Sequence, residues 1–117
     1  MLIFTIFFNL LTIIDSLYLL ACIPAYNEEG VIGNLIKKIT PLVDSVVVCD
    51  DGSTDRTSEE SKKAGAFVIT HSQNQGKGAA LQSLFNFARH SNADVIVTID
   101  GDGQFLPEEI PKLTKDI

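Results

Sequence analysis

The chain has 117 residues, which suits one domain with a modest core, and its 45% hydrophobic content excludes a disordered chain. A formal net charge of −6, with no run of basic residues, excludes non-specific binding to nucleic acid. Cys22 and Cys49 both fall in apolar, strand-like stretches, which predicts two buried free thiols in a reducing compartment and no cysteine metal site.

Residues 1–16 are strongly apolar and need an explanation of their own. A membrane-spanning helix needs about 20 apolar residues, and the run reaches that length only by taking in LYLLACI, which is needed as a core strand. No Lys or Arg precedes the run, as a signal peptide would require. We therefore expect an apolar N-terminal extension that touches a membrane or packs poorly, or that is translated from an upstream start.

From residue 17 onward, apolar runs of strand length alternate with segments of helical periodicity. The predicted strands are LYLLACI (17–23), SVVVC (45–49), AFVIT (66–70) and DVIVTI (94–99), of which the last is expected to be buried through Val95, Ile96, Val97 and Ile99. The first predicted helix spans residues 31–39, with Val31 on its apolar face and Pro41 as its stop. The second spans residues 55–64, with Ser53, Thr54 or Asp55 as N-cap and Gly65 as C-cap. A third helix has Leu81, Leu84, Phe85 and Ala88 on its apolar face, and a last helix begins at Pro107, Glu108 and Glu109. This alternation predicts an α/β fold, with a mostly parallel sheet of about four strands flanked by helices.

Four polar, glycine-containing loops follow the strands: PAYNEEG, DDGSTD, HSQNQGKG and DGDGQF. The carboxyl ends of parallel strands share one edge of the sheet, where ligands bind, so these loops are expected to meet there. Neither His71 nor His90 has a spacing that indicates a metal site or a Ser-His-Asp triad.

The pair Asp100 and Asp102 is the strongest indication of chemistry. It could be a solvated turn, but two adjacent carboxylates repel each other unless a cation lies between them, and Mg²⁺ commonly takes one or two carboxylates with substrate phosphates. The small residues Gly101 and Gly103 would let a diphosphate approach, and Gln104 could add an oxygen. An EF-hand is excluded, because Phe105 and Pro111 stand at the positions of its invariant Gly and Glu.

The other loops admit two interpretations each. Asp50 suits a cap or turn, whereas Asp51 could accept a hydrogen bond from a nucleobase or a ribose. NQGKG is not a P-loop, because His71 and Gly78 replace the required Gly and Ser or Thr; it could enter a helix or present Lys77 to a phosphate. Tyr26 lies in a loop, where it could stack on a base.

Taken together, IPAYNEEG, VVVCDDGSTDRT, NQGKGAAL and VIVTIDGDGQFLPEEI resemble the N-terminal half of family 2 inverting glycosyltransferases, which have the GT-A fold. The resemblance covers about residues 17 to 117 and is strongest to the branch of dolichol-phosphate mannose synthase and polyprenyl-phosphate glycosyltransferases. It implies a GT-A, Rossmann-like, nucleotide-sugar-binding half domain over residues 17–117, truncated before the acceptor half, which in the family carries the catalytic base. No catalytic residue is therefore assigned.

The resemblance also implies roles for individual residues. The nucleotide site would comprise Pro24, Ala25, Tyr26, Glu28, Asp51 against the base, Gly76, Lys77, Gly78, Asp100 and Gly101. Asp100 and Asp102 match the D-x-D element that holds Mg²⁺ or Mn²⁺ on the donor diphosphate, with Gln104 joining the metal ligands. Phe105 departs from the pattern, since this branch often has His there.

The function implied is metal-assisted, inverting transfer of a sugar from a nucleotide donor, GDP-mannose or UDP-glucose, to a polyprenyl or dolichyl phosphate or a glycan. The chain would act in the cytoplasm, at the cytoplasmic face of a membrane, and an exposed sheet edge would favour self-association. One alternative is a sugar-nucleotide-binding module without turnover. Another is a sugar-1-phosphate nucleotidyltransferase, although PAYNEEG lacks the Gly-rich loop and Arg of that class.

Overall fold

The computed structural model describes residues 17–102. The apolar segment 1–16 and the helix predicted from Pro107 lie outside the described residues. So do Gly103, Gln104 and Phe105.

The described chain alternates strands and helices, as the sequence predicts. The strands are β1 (Leu19–Ala25), β2 (Ser45–Asp50), β3 (Phe67–Thr70) and β4 (Val95–Thr98), and the helices are α1 (Ile32–Ile39), α2 (Thr57–Lys63) and α3 (Lys77–Arg89), with a 3-10 turn at Thr40–Leu42. All strand pairs are parallel, in the order β3-β2-β1-β4. The predicted α/β fold with a four-stranded parallel sheet is therefore confirmed.

The core lies on both faces of the two central strands, because successive side chains of a strand point to opposite faces. One face contributes Ala21 and Ile23 to a cluster that also contains the apolar stripe of α1. The other face contributes Cys22 and Cys49 to a cluster with α3. Burial on both sides explains why β1 and β2 have continuous apolar runs.

Three predicted apolar positions are exposed, which corrects the predicted faces. On α3 the buried stripe is Ala80, Leu84 and Ala88, spaced by four residues, and Phe85 lies one step around the helix with 44% of its surface exposed. Val31 precedes α1 instead of lying within it, and it too is exposed. Ile96 is 41% exposed, because within residues 17–102 its strand β4 pairs only with β1.

Element boundaries moved by one or two residues at the sheet edge that carries the loops. β1 runs through Ala25, so Pro24 and Ala25 belong to the strand. Helix α2 begins at Thr57, two residues later than predicted, and Asp55 Oδ1 accepts a hydrogen bond from Thr57 N–H at 2.9 Å. Helix α3 begins at Lys77, so Lys77 and Gly78 form its first turn instead of ending the loop.

Candidate functional site

The loops at the carboxyl ends of the strands enclose a cavity of about 270 Å³. It lies at the edge of the sheet where a parallel α/β fold is expected to bind ligands. The residues lining it are Pro24, Ala25, Tyr26, Glu28, Asp51, Asn74, Gly76, Lys77, Ala80, Asp100, Gly101 and Asp102.

One wall of this cavity is held in place by hydrogen bonds between the loops that follow β1 and β2. Asn27 N–H donates to Ser53 Oγ at 2.9 Å, and Thr54 N–H donates to Asn27 Oδ1 at 2.9 Å. Glu28 N–H donates to Thr57 Oγ1 at 2.9 Å. Asn27 has a φ of 53°, a left-handed conformation that Asn tolerates better than most residues. These contacts fix the chain that carries Tyr26 and Glu28.

Asp51 joins the loop after β2 to the loop after β3. Its Oδ1 accepts from Gln75 N–H at 2.8 Å and lies 2.8 Å from His71 Nδ1, and its Oδ2 accepts from Gly76 N–H at 2.8 Å. Burial alone would raise the pKa of Asp51, but the hydrogen bonds from His71, Gln75 and Gly76 outweigh it and hold the pKa below its ordinary value. The side chain is therefore an ionised carboxylate at neutral pH, although only 6% of it is exposed.

The neighbouring Asp50 has a separate, local role. Its Oδ1 accepts from Ser53 N–H at 2.9 Å, and its Oδ2 accepts from Ser58 Oγ–H. The predicted turn-bonding role of one of these two aspartates therefore belongs to Asp50.

The spacing of His71 in the sequence indicates no partner, but the structure places its side chain between an aspartate and a serine. His71 Nδ1 lies 2.8 Å from Asp51 Oδ1, and His71 Nε2 lies 2.8 Å from Ser83 Oγ. Parallel pairing explains the contact, because Asp50 is in register with Thr70 and the next residues of both strands are Asp51 and His71. The sequence carries no direct signal of this contact, because the contact depends on how β2 and β3 pair. Of the three, only Asp51 lines the cavity, so the arrangement lacks the open nucleophile of a hydrolase.

A lysine and an aspartate meet across the same cavity. Lys77 Nζ, from the first turn of α3, lies 2.6 Å from Asp100 Oδ1, which follows β4. A second cavity, of about 410 Å³, shares both residues together with Asp102. The ion pair therefore lies where the two cavities adjoin.

Acidic side chains accumulate around this point, and they fit a hard cation with oxygen ligands. Burial, and then the charges of Asp102 and Asp55, raise the pKa of Glu28. Lys77 already neutralises Asp100. Within residues 17–102 no group of three or more His, Cys, Asp or Glu side chains could hold a metal by itself. Two carboxylates suit Mg²⁺, which takes its other ligands from water and substrate phosphates.

The sequence-predicted site residues that the structure describes are thus brought together with one exception. All of the predicted nucleotide-site residues except Gly78 line the first cavity, as does Asp102. Gly78 lies in the first turn of α3, away from that lining, and Gln104 is outside the described residues. Asn74, which the sequence analysis did not single out, also lines the cavity.

In the part of the chain that the structure describes, none of the helices has the length and hydrophobicity needed to cross a membrane.

Comparison with known proteins agrees with the motifs. Residues 20–117 match the family model described as glycosyl transferase family 2. The UDP-N-acetylglucosamine--dolichyl-phosphate N-acetylglucosaminyltransferase of Methanococcus voltae is 35% identical over an alignment of 113 positions, and the match covers 81% of this chain and 45% of that protein. The undecaprenyl-phosphate 4-deoxy-4-formamido-L-arabinose transferase of Edwardsiella ictaluri is 33% identical over an alignment of 105 positions, and the match covers 80% of this chain and 31% of that protein.

Among solved structures, the glucosyl-3-phosphoglycerate synthase of Mycobacterium tuberculosis, in complex with Mg²⁺ and UDP, superposes with a TM-score of 0.72. It is 34% identical, and the match covers 86% of this chain and 39% of the synthase. Another crystal structure of that synthase holds Mn²⁺, UDP and glucosyl-3-phosphoglycerate. This chain spans less than half the length of each of these proteins. The match over residues 20–117 nevertheless covers most of the chain, which therefore belongs to glycosyl transferase family 2.

Proposed function

We propose that this chain is the donor-binding half domain of a glycosyltransferase, in which the cavity after the strands binds a nucleoside diphosphate sugar. The observation that carries the proposal is the convergence of Asp51, Lys77, Asp100 and Asp102 on one cavity in a member of family 2. The solved structures of a similar synthase hold UDP with Mg²⁺ or Mn²⁺, which supports a nucleotide and a divalent cation here.

The chemistry of the cavity walls suits the two ends of such a donor. For the base, Tyr26 is 45% exposed and offers an aromatic face, and Asp51 offers a carboxylate. For the diphosphate, Lys77 would donate to a phosphate, because an ammonium group is a compact point charge for phosphate. Gly101 lies against Pro24 and Ala25, where a Cβ would come within 3.1 Å of the Pro24 carbonyl oxygen, and it presents backbone without a side chain to the cavity.

Asp100 and Asp102 would hold the divalent cation, and Gln104 is proposed as a further ligand. When bound, Mg²⁺ or Mn²⁺ would stabilise the negative charge that develops on the departing nucleoside diphosphate. The contribution of this chain's own residues is to position the donor. Asp100 and Asp102 fix the diphosphate end, Lys77 adds positive charge beside it, and the loops after β1 and β2 fix the base end.

For the acceptor, we propose a polyprenyl or dolichyl phosphate, and for the product an inverted anomeric carbon. Two similar proteins are named for transfer to undecaprenyl phosphate and dolichyl phosphate, which supports this choice over a glycan. A lipid acceptor would place the protein at the cytoplasmic face of a membrane. The proposed donors are GDP-mannose and UDP-glucose.

A second candidate is a sugar-nucleotide-binding module without turnover. It is favoured by the lining of the cavity, where the residues that the structure describes offer contacts for a donor and none is assigned as a catalytic base. The two candidates differ in one measurable product. Release of nucleoside diphosphate from donor, metal and a panel of lipid phosphates above background would reject the module.

The proposed site is tested by thermal unfolding of the purified chain with GDP, UDP and dTDP sugars, each with and without Mn²⁺. A ligand that binds only the folded state stabilises it by about 2.7 kcal/mol at a hundredfold excess over its dissociation constant. We expect a metal-dependent rise in Tm with one nucleotide, and loss of that metal dependence in Asp102→Asn. An unchanged response in Asp102→Asn would remove the metal role, and no response to any donor would remove the donor site.

A further inference from the structure

The carboxylate of Asp51 has little hydrogen-bonding capacity left. An ionised carboxylate has about four acceptor positions, two on each oxygen. Oδ1 uses both of its positions, one for Gln75 N–H and one for His71 Nδ1, and Oδ2 uses one for Gly76 N–H. When the contacts within residues 17–102 are counted, a single position on Oδ2 remains for a ligand in the cavity that Asp51 lines.

His71 is fixed in this arrangement from its other side. The carboxylate can only accept, so Nδ1 carries the proton and donates it, and in the neutral imidazole Nε2 accepts from the Ser83 hydroxyl at 2.8 Å. Cys49 Sγ also lies 3.6 Å from Nε2. Only 10% of the His71 side chain is exposed, and neither His71 nor Ser83 lines the cavity. Any effect of His71 on a ligand must therefore pass through Asp51.

We infer that His71, anchored by Ser83, is a positioning residue that leaves Asp51 one acceptor position, so that the site selects a nucleobase with a single imide N–H, uracil or thymine, over guanine. The inference rests on the proposed function, in which Asp51 meets the base. It narrows the donor to a uridine or thymidine diphosphate sugar.

The chemistry of the bases gives the reason for this selection. Guanine presents two adjacent donors, N1–H and the N2 amino group, which pair with the two oxygens of an open carboxylate. At Asp51 only one of them would find an acceptor, and the other would be buried without a partner, which costs affinity. Uracil and thymine present one donor, N3–H, between two carbonyl groups, and this matches the one free position.

The test is calorimetric titration of the full chain with UDP and with GDP, in the presence of Mg²⁺. We expect UDP to bind at least about tenfold more tightly than GDP in the wild type. His71→Ala should weaken UDP binding about tenfold and narrow the difference in affinity between UDP and GDP, because Asp51 loses one of its three hydrogen bonds and its Oδ1 regains an acceptor position. His71→Asn should restore UDP binding to within about threefold of the wild type, because the Asn amide can donate from the place of Nδ1. The matched control is His90→Asn, since His90 is exposed at the far end of α3.

A second readout needs no nucleotide. His71→Ala should accelerate amide hydrogen exchange at Gln75 and Gly76, because the N–H groups of both residues donate to Asp51. His71→Asn should restore the slow exchange. Unchanged exchange in His71→Ala would overturn the positioning role, even if the wild type bound no nucleotide and the proposed function had failed. Tighter binding of GDP than of UDP by the wild type would overturn the base selection while leaving the donor site intact.

Discussion

Lys77 Nζ lies 2.6 Å from Asp100 Oδ1, so an ammonium group stands beside one of the two carboxylates proposed to hold a divalent cation. Both side chains are more than half exposed, at 63% and 56%. An ion pair in that setting is worth about 1 kcal/mol or less, so a metal and a diphosphate can separate the two residues at little cost. Lys77 would then be free to turn to the phosphates.

Lys77→Met should therefore change metal binding and nucleotide binding in opposite directions. Without the competing ammonium, Mn²⁺ alone should bind about two- to fivefold more tightly. UDP with Mn²⁺ should bind about tenfold more weakly, because a charge-assisted hydrogen bond to phosphate is lost. Electron paramagnetic resonance titration of free Mn²⁺ and calorimetry of UDP measure the two quantities. Lys38→Met, on the exposed side of α1, is the matched control. Equal changes in the affinities for Mn²⁺ and for UDP would contradict the proposal that Lys77 leaves Asp100 for the phosphates.

A side chain at Gly52 is expected to destabilise the fold more than a side chain at Gly65. Its φ is +74°, and a Cβ there would lie 2.3 Å from the carbonyl carbon of Gln73, in the loop that Asp51 holds. Gly65 also has a positive φ, of +101°, but no atom lies within 4 Å of its Cβ position. Gly65→Ala should thus cost only the strain of the left-handed conformation, about 1 kcal/mol, whereas Gly52→Ala should cost a further 1 to 3 kcal/mol, roughly, from the clash. Urea unfolding of the two variants measures the difference, and equal losses would mean that the loop moves aside freely.

The fold and the site differ in how far the sequence predicts them. Four apolar runs followed by four polar loops are enough to predict a parallel sheet and the edge that binds ligands, because both follow from strand period and connection rules. The motifs also mark Asp51, Lys77 and Asp100. The number of acceptor positions left on Asp51 is not readable in this way, because it depends on the register of β2 and β3, which brings His71 alongside.

The buried face of a helix is likewise set by packing that the sequence pattern does not specify. Leu84 and Phe85 are adjacent apolar residues, and a periodic pattern accepts either of them on the core side. Which one is buried depends on the rotation of α3 against β1 and β2, and the buried series Ala80, Leu84 and Ala88 decides it. The position of Lys77 depends on the same rotation, because Lys77 lies at the start of α3.

Substitution of these two neighbours tests the rotation of α3. Leu84 is fully buried, so Leu84→Ala should cost about 2 to 5 kcal/mol of the free energy of unfolding. Phe85 is 44% exposed, so Phe85→Ala should cost less than about 1 kcal/mol. Chemical denaturation of both variants gives the comparison. A larger loss for Phe85→Ala would mean that something outside residues 17–102 covers this side chain, or that α3 is rotated.

The two buried thiols should make the free energy of unfolding fall at alkaline pH. Cys22 and Cys49 are free and buried, and burial raises the pKa of each from an ordinary value of 9.0 to about 11, with the charges of Asp51 and Asp50 adding to the effect at Cys49. Between these pH values the unfolded chain releases protons that the folded chain keeps. The free energy of unfolding is therefore unaffected below about pH 9 and falls as the pH rises through about 11, by about 2 to 3 kcal/mol for each thiol.

The measurement is urea unfolding from pH 7 to 11 of the wild type and of the variant Cys22→Ala with Cys49→Ala. Lysines and tyrosines titrate in the same range in both proteins, so the difference between the two curves isolates the thiols. Loss of the thiol volume lowers the stability of the variant by an amount that does not depend on pH. We expect the curves to converge above pH 9, because only the wild type loses the thiol contribution. Parallel curves up to pH 11 would mean that both thiols titrate in the folded protein as they do in the unfolded chain, and that the core around β1 and β2 admits water.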